Sequence, residues 1–189
     1  MLCDPQKVID VALSQVGYME KETEEHLNDM TANAGDENFT KYARDLDALG
    51  FYNGKKQSVA WCDVFFDWCM VRSYGLEAAL ALTCQPFGRS NYGAGCSHSR
   101  EYYQKNGRLF AEPQPGDQVF FYAPDGGRVC HTGLVVEVSR EEIVTVEGNT
   151  SDESGVVANG GCVCRKSYAR KDVRLAGFGR PRWDMEINV

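Results

Sequence analysis

Apolar positions in the first half of the chain recur at helical spacing. Val8, Ile9, Ala12, Leu13 and Val16 form one stripe behind Asp4-Pro5, a cap followed by a first-turn proline, and Gly17 closes the segment. From Tyr18 to Asn38 no period is sustained. That stretch is acidic and rich in Asn, Thr and Gly, and it reads as a long surface loop despite a helix-compatible part from Lys21 to Leu27. Tyr42, Leu46 and Leu49 before Gly50 predict a short helix. Ser58 is placed to cap a third helix running to about Tyr74, with Gly75 as its stop, and a short helix is predicted from Ser99 to Lys105.

Beyond Pro113, Pro115 and Gly116 the period changes from helical to two. Strands are predicted near Gln118 to Tyr122, His131 to Val138, Ile143 to Glu147, Cys162 to Tyr168 and Ala176 to Phe178. Helices first and strands afterwards specify an α+β domain, N-terminal helices packed on a C-terminal antiparallel β-sheet. The whole of 1–189 reads as a single domain, because 189 residues with 43% hydrophobic content fill one substantial core.

Charge narrows the partners. The formal net charge is -7 and Lys and Arg are dispersed, so no basic stripe is present to follow a phosphate backbone, and nucleic acid is not an expected partner. The first residues carry no basic region followed by an apolar block, and no stretch approaches about eighteen apolar residues, so neither a signal peptide nor a membrane anchor is expected. Eight cysteines scatter at 3, 62, 69, 84, 96, 130, 162 and 164. Without a secretion signal their default is the reduced state, and their spacing matches no regular zinc site.

The informative segment is Val59-Ala60-Trp61-Cys62-Asp63-Val64-Phe65-Phe66-Asp67-Trp68-Cys69, where positions 62, 65, 66 and 69 share one helical face. A helix starting near Ser58 puts Cys62 in the first turn, where unpaired N–H groups and the helix dipole favour a thiolate. Cys69, two turns on, lacks that setting and reads as an inert core thiol. A nucleophilic thiol needs a base, and the chain offers His26, His98 and His131. His131 opens an apolar strand, and a hairpin about Ser139-Arg140-Glu141-Glu142 makes paired residue numbers sum to about 280, which brings Glu147-Gly148-Asn149 beside it. In a regular strand Glu147 and Asn149 share a face, and either would accept the second imidazole N–H, with the charged Glu147 the favoured direct partner.

These residues resemble the cysteine, histidine-dependent amidohydrolase/peptidases (CHAP) of phage endolysins and bacterial wall hydrolases. The resemblance spans about Val8 to Trp183. It rests on Ala60-Trp61-Cys62, on Pro115-Gly116-Asp117 leading to Cys130-His131-Thr132-Gly133, on Val146-Glu147-Gly148-Asn149, and on Gly177-Phe178-Gly179-Arg180-Pro181. It implies a papain-like fold, Cys62 as nucleophile, His131 as base, Glu147 and Asn149 as its orienting groups, and bacterial peptidoglycan as substrate. Gln57 is a candidate oxyanion donor by analogy with papain-like enzymes, beside the Cys62 N–H, and Trp61 is a candidate cleft residue. No cofactor and no metal is called for, since Asp36, Glu37, Asp45 and Asp47 lack the order of a calcium loop. A monomer made in the bacterial cytoplasm and acting on the wall after release is the corresponding expectation. Other readings are an amide or isopeptide hydrolase of a non-wall substrate, a non-catalytic module of the same fold, and a zinc-stabilised domain using Cys96, His98, Cys130, Cys162 and Cys164.

Overall fold

A computed structural model describes residues 2–157 and 159–186. Asp4 caps α1 (Pro5–Leu13) by accepting from the Gln6 N–H, and Thr40 caps α2 (Lys41–Leu49), which Gly50 ends in the left-handed conformation. The third helix, α3 (Cys62–Tyr74), starts four residues later than expected. Ser58 does not cap it: Ser58 has a positive φ of 60° and its hydroxyl donates to the Glu37 carbonyl. After Gly75 the chain turns at once into α4 (Leu76–Thr83), a helix the sequence pattern did not reveal because Leu76 to Leu82 has almost no polar face to set a period. The last helix is α5 (Cys96–Lys105).

Six strands follow: β1 (Leu109–Phe110), β2 (Gln118–Tyr122), β3 (Val129–Val138), β4 (Glu142–Thr150), β5 (Cys162–Ala169) and β6 (Leu175–Gly179). They form one antiparallel sheet in the order β1-β6-β2-β3-β4-β5. Only β1, two residues long, was not anticipated. Leu134 lies opposite Val146 and Val135 opposite Thr145, the expected hairpin register. Central strands carry near-continuous apolar runs because both faces are covered, whereas edge strand β5 alternates buried and exposed.

Helix α3 forms the middle of the core. Every residue from Cys62 to Met70 is buried, since α1, α2 and α4 pack around a helix that also lies on β3 and β4. That burial includes two carboxylates, each held by two donors. Asp63 accepts from Ser99 and Gln118 at 2.7 Å, and Asp67 accepts from Tyr52 at 2.7 Å and Gln85 at 2.6 Å. A further buried acid, Asp117, takes both Nε and Nη2 of Arg180 at 2.9 Å, which ties the Pro115-Gly116-Asp117 turn to the end of β6.

The segment after α1 is irregular, but it is not simply surface. Tyr18, Glu20 and Lys21 are buried, and the chain pairs with β5 through Gly17 N–H to Val163 O and Val163 N–H to Tyr18 O, both 2.9 Å. It thereby covers a sheet edge. Cys162 and Cys164 are joined by a disulfide, and the other six cysteines are free. Among the described residues no helix is long and apolar enough to cross a membrane.

Burial pushes the Asp67 carboxyl up from 3.8 to about 7, against the lowering effect of Tyr52 and Gln85. A carboxyl raised above its unfolded value holds its proton more tightly in the native state, so its ionisation costs stability as pH rises from about 4 to about 7. Asp67→Asn removes that ionisation. Urea midpoints at about pH 4 and about pH 8 should show the variant gaining on the wild type at the higher pH; an unchanged difference would refute the assignment.

Candidate active site

Cys62 is the first residue of α3, and its preceding residue Trp61 offers no side-chain cap. The first-turn N–H groups therefore remain available to a negative charge, and the Asp63 N–H contributes to lowering the Cys62 thiol. Trp61 sets this corner. Its Nε1–H donates to buried Glu20 at 2.6 Å, and its ring packs against Tyr42 at 5.6 Å and Tyr18 at 6.4 Å. Gly148 lets β4 approach here, because a Cβ at that position would lie 2.7 Å from the Trp61 ring and 2.6 Å from Phe65.

His131 lies near the start of β3, fully buried, with Phe121 of β2 stacked on its ring at 6.0 Å. Its Nε2 meets Glu147 Oε2 at 2.8 Å. That bond leaves Nδ1 as the ring nitrogen open to the thiol of Cys62, whose charge acts on the ring, and among the described residues Nδ1 has no hydrogen-bond partner. Glu147 is held in turn. Thr145 donates to its Oε1 at 2.5 Å and the Tyr168 hydroxyl to its Oε2 at 3.2 Å. Gly133 makes the arrangement possible, since a Cβ there would sit 2.5 Å from Glu147 Cγ.

The electrostatics fit a thiolate–imidazolium pair. The Cys62 thiol is lowered well below its ordinary range, first by a hydrogen bond from Cys96, then, against the opposing effect of burial, by the His131 hydrogen bond and charge. For His131 burial alone would depress the imidazolium, but hydrogen bonds to Cys62 and Glu147 and their negative charges outweigh it and raise the group from 6.5 to about 9. Cys62 is 4% exposed, so the pair meets solvent only through a small part of the thiol residue. Desolvation of this kind strengthens each interaction inside the site.

Three other expected site residues lie differently. Trp61 has no exposed surface and cannot line a cleft; its indole is core. Gln57 Oε1 accepts from the Thr40 N–H at 3.0 Å, and the residue lines a cavity with Glu24, Arg44 and Asp47 that does not include Cys62 or His131. Asn149 is buried, but its φ is 54° and the β4–β5 register shifts between Glu147 and Thr150, so the regular alternation assumed for Glu147 and Asn149 fails there. His26 and His98 are exposed. The cysteines suggested for zinc are not gathered: Cys162 bonds Cys164, and Cys96 sits beside Cys62. Among the described residues the acids close enough to share a cation are exposed Glu22, Asp36 and Glu37. Asp45 and Asp47 lie on α2, engaged by Trp68 and by the Lys56 and Gln57 N–H groups.

Sequence reasoning missed Thr145, Tyr168, Gly133 and Cys96. Thr145 was legible in principle, two residues before Glu147 on one strand face. Tyr168 and Cys96 come from elements whose placement no local pattern encodes.

A thiol leading a helix, an imidazole on a strand and a carboxylate on the next strand are thus gathered at one place in the fold. The chain belongs to the CHAP domain family: the family model matches residues 54–149, slightly more than half of the sequence. The family unites cysteine- and histidine-dependent amidohydrolases and peptidases. Among solved structures the chain is similar to "The crystal structure of Ly7917", with 12% identity and a TM-score of 0.47 over 95% of this chain and 62% of that one. The chain thus spans less than two thirds of that protein's length. No curated protein matches the sequence.

A rate that depends on protonated His131 should hold through neutral pH and fall as pH rises through about 9. Glu147→Gln keeps the shape and removes the charge. Its upper pH limb should move to lower pH; an unmoved limb would show that the carboxylate does not stabilise the imidazolium.

Gly133→Ala tests the same contact from the other side. The added methyl should push Glu147 off His131 and lower turnover by roughly tenfold or more, while circular dichroism reports a folded protein. Wild-type turnover with a wild-type pH profile would count against the close packing of Gly133 and Glu147.

Proposed function

We propose that this chain is a cysteine-dependent peptidoglycan hydrolase. The observation that carries the reading is the buried His131–Glu147 hydrogen bond set beside a Cys62 thiol that is held well below its ordinary range, in a chain of the CHAP domain family. Cys62 thiolate adds to an amide carbonyl of wall peptide, and the Cys62 N–H, which has no helical acceptor one turn earlier, supports the oxyanion. His131 protonates the departing amine. It then takes a proton from water, which hydrolyses the Cys62 thioester and frees the thiol. The bond is either the N-acetylmuramoyl-L-alanine amide or a peptide link in the stem or cross-bridge.

The test is mass spectrometry of fragments released from purified walls of several bacterial species. Cys62→Ala and Cys62→Ser should abolish release while the fold persists. Cys69→Ala, at a fully buried position further along α3, should cost on the order of 1 kcal/mol of stability and spare turnover. Release by the Cys62 variants would remove the mechanism. An active Cys62 that cleaves other amides and no wall peptide would remove the substrate.

A further inference from the structure

The Cys62 sulfur has a second neighbour whose thiol takes no bond-making part in the hydrolytic reaction. Cys96 Sγ lies 3.5 Å from Cys62 Sγ. The two residues occupy the same position in their helices: each is the first residue, behind a cap that supplies no side-chain hydrogen bond. Both are buried, at 4% and 7% exposure, in a small cluster with Tyr103, Phe120 and Ala176. A disulfide needs a sulfur separation of about 2.05 Å, so the sulfurs must close by about 1.5 Å, a distance within reach of side-chain rotation at two helix starts. Cys3, Cys69, Cys84 and Cys130 are also free, but among the described residues none of them hydrogen-bonds the Cys62 sulfur.

We propose that Cys96 is a resolving thiol: when a hydroperoxide oxidises Cys62, Cys96 captures it as a reversible Cys62–Cys96 disulfide. In the first step Cys62 thiolate attacks the peroxide, an S–O bond forms, the O–O bond breaks, and the leaving hydroxide takes a proton from the His131 imidazolium to give water. Cys62 is then a sulfenic acid. In the second step Cys96 attacks the Cys62 sulfur, the S–O bond breaks, and the Cys96 proton leaves with hydroxide as a second water. Two thiols are oxidised and one peroxide is reduced. The capture spares Cys62 from irreversible sulfinic acid, and it switches off hydrolysis, a consequence that rests on Cys62 being the nucleophile proposed above.

Purified protein is treated with a several-fold molar excess of hydrogen peroxide, alkylated with iodoacetamide, and digested without reduction for mass spectrometry. The expected product is a peptide linked through Cys62 and Cys96, together with loss of wall lysis, both reversed by dithiothreitol. In Cys96→Ala the same dose should carry Cys62 to sulfinic acid and dithiothreitol should not restore it, with Cys96→Ser as the second variant and circular dichroism as the folding check. Cys62 oxidised while Cys96 alkylates freely, or Cys62 linked to Cys130, would overturn the proposal. A Cys62–Cys96 link in a protein that never lyses walls would uphold the proposal and refute the hydrolase reading, whereas Cys62-dependent lysis without the link would do the reverse.

Discussion

The site depends on one buried hydrogen bond, His131 Nε2 to Glu147 Oε2 at 2.8 Å. Both side chains are wholly removed from solvent, where an isolated charge would be costly, so the carboxylate and the ring are acceptable only as a pair. The bond fixes which ring nitrogen is left for the thiol. It also sets the direction of the imidazole, because a ring anchored at Nε2 and stacked on Phe121 has little freedom to turn. The lowered Cys62 thiol owes as much to that anchored ring as to its own position at the start of α3.

Much of the fold serves to make that bond affordable. Thr145 and Tyr168 satisfy the remaining carboxylate capacity, and Gly133 leaves room for Glu147 to cross toward His131. On the helix side, the Glu20–Trp61 bond and the Tyr18–Tyr42–Trp61 ring cluster hold the corner where α3 begins. Asp63 and Asp67 sit inside the core with two donors each, linking α3 to α5, β2 and the segments carrying Tyr52 and Gln85. Such networks are expensive unless complete. Here they join the helical layer to the sheet at the level of the nucleophile, and the Asp117–Arg180 pair does the same for the turn before β2.

Local pattern was enough wherever one residue type at one offset carries a physical requirement. Asp4-Pro5, Leu49-Gly50 and Tyr74-Gly75 marked helix ends, and the period of two located five of six strands. The hairpin register was legible because alternation and a short polar turn leave little choice of pairing. Pattern failed where it was uniform or too short, as in apolar α4 and two-residue β1, and at Ser58, whose capping hydroxyl is spent on Glu37.

The sequence by itself determined the α+β class, the helix-leading Cys62, the strand-leading His131 and the preference for charged Glu147 as its partner, because each follows from periodicity, dipole and charge within one or two adjacent elements. Tertiary structure alone decided that Trp61 is core, that Gln57 turns to α2, that Asn149 breaks the strand's alternation, and that Cys96 lies 3.5 Å from the nucleophile. Those facts depend on which distant segments meet, and meeting is governed by packing of the whole core, which no local period encodes.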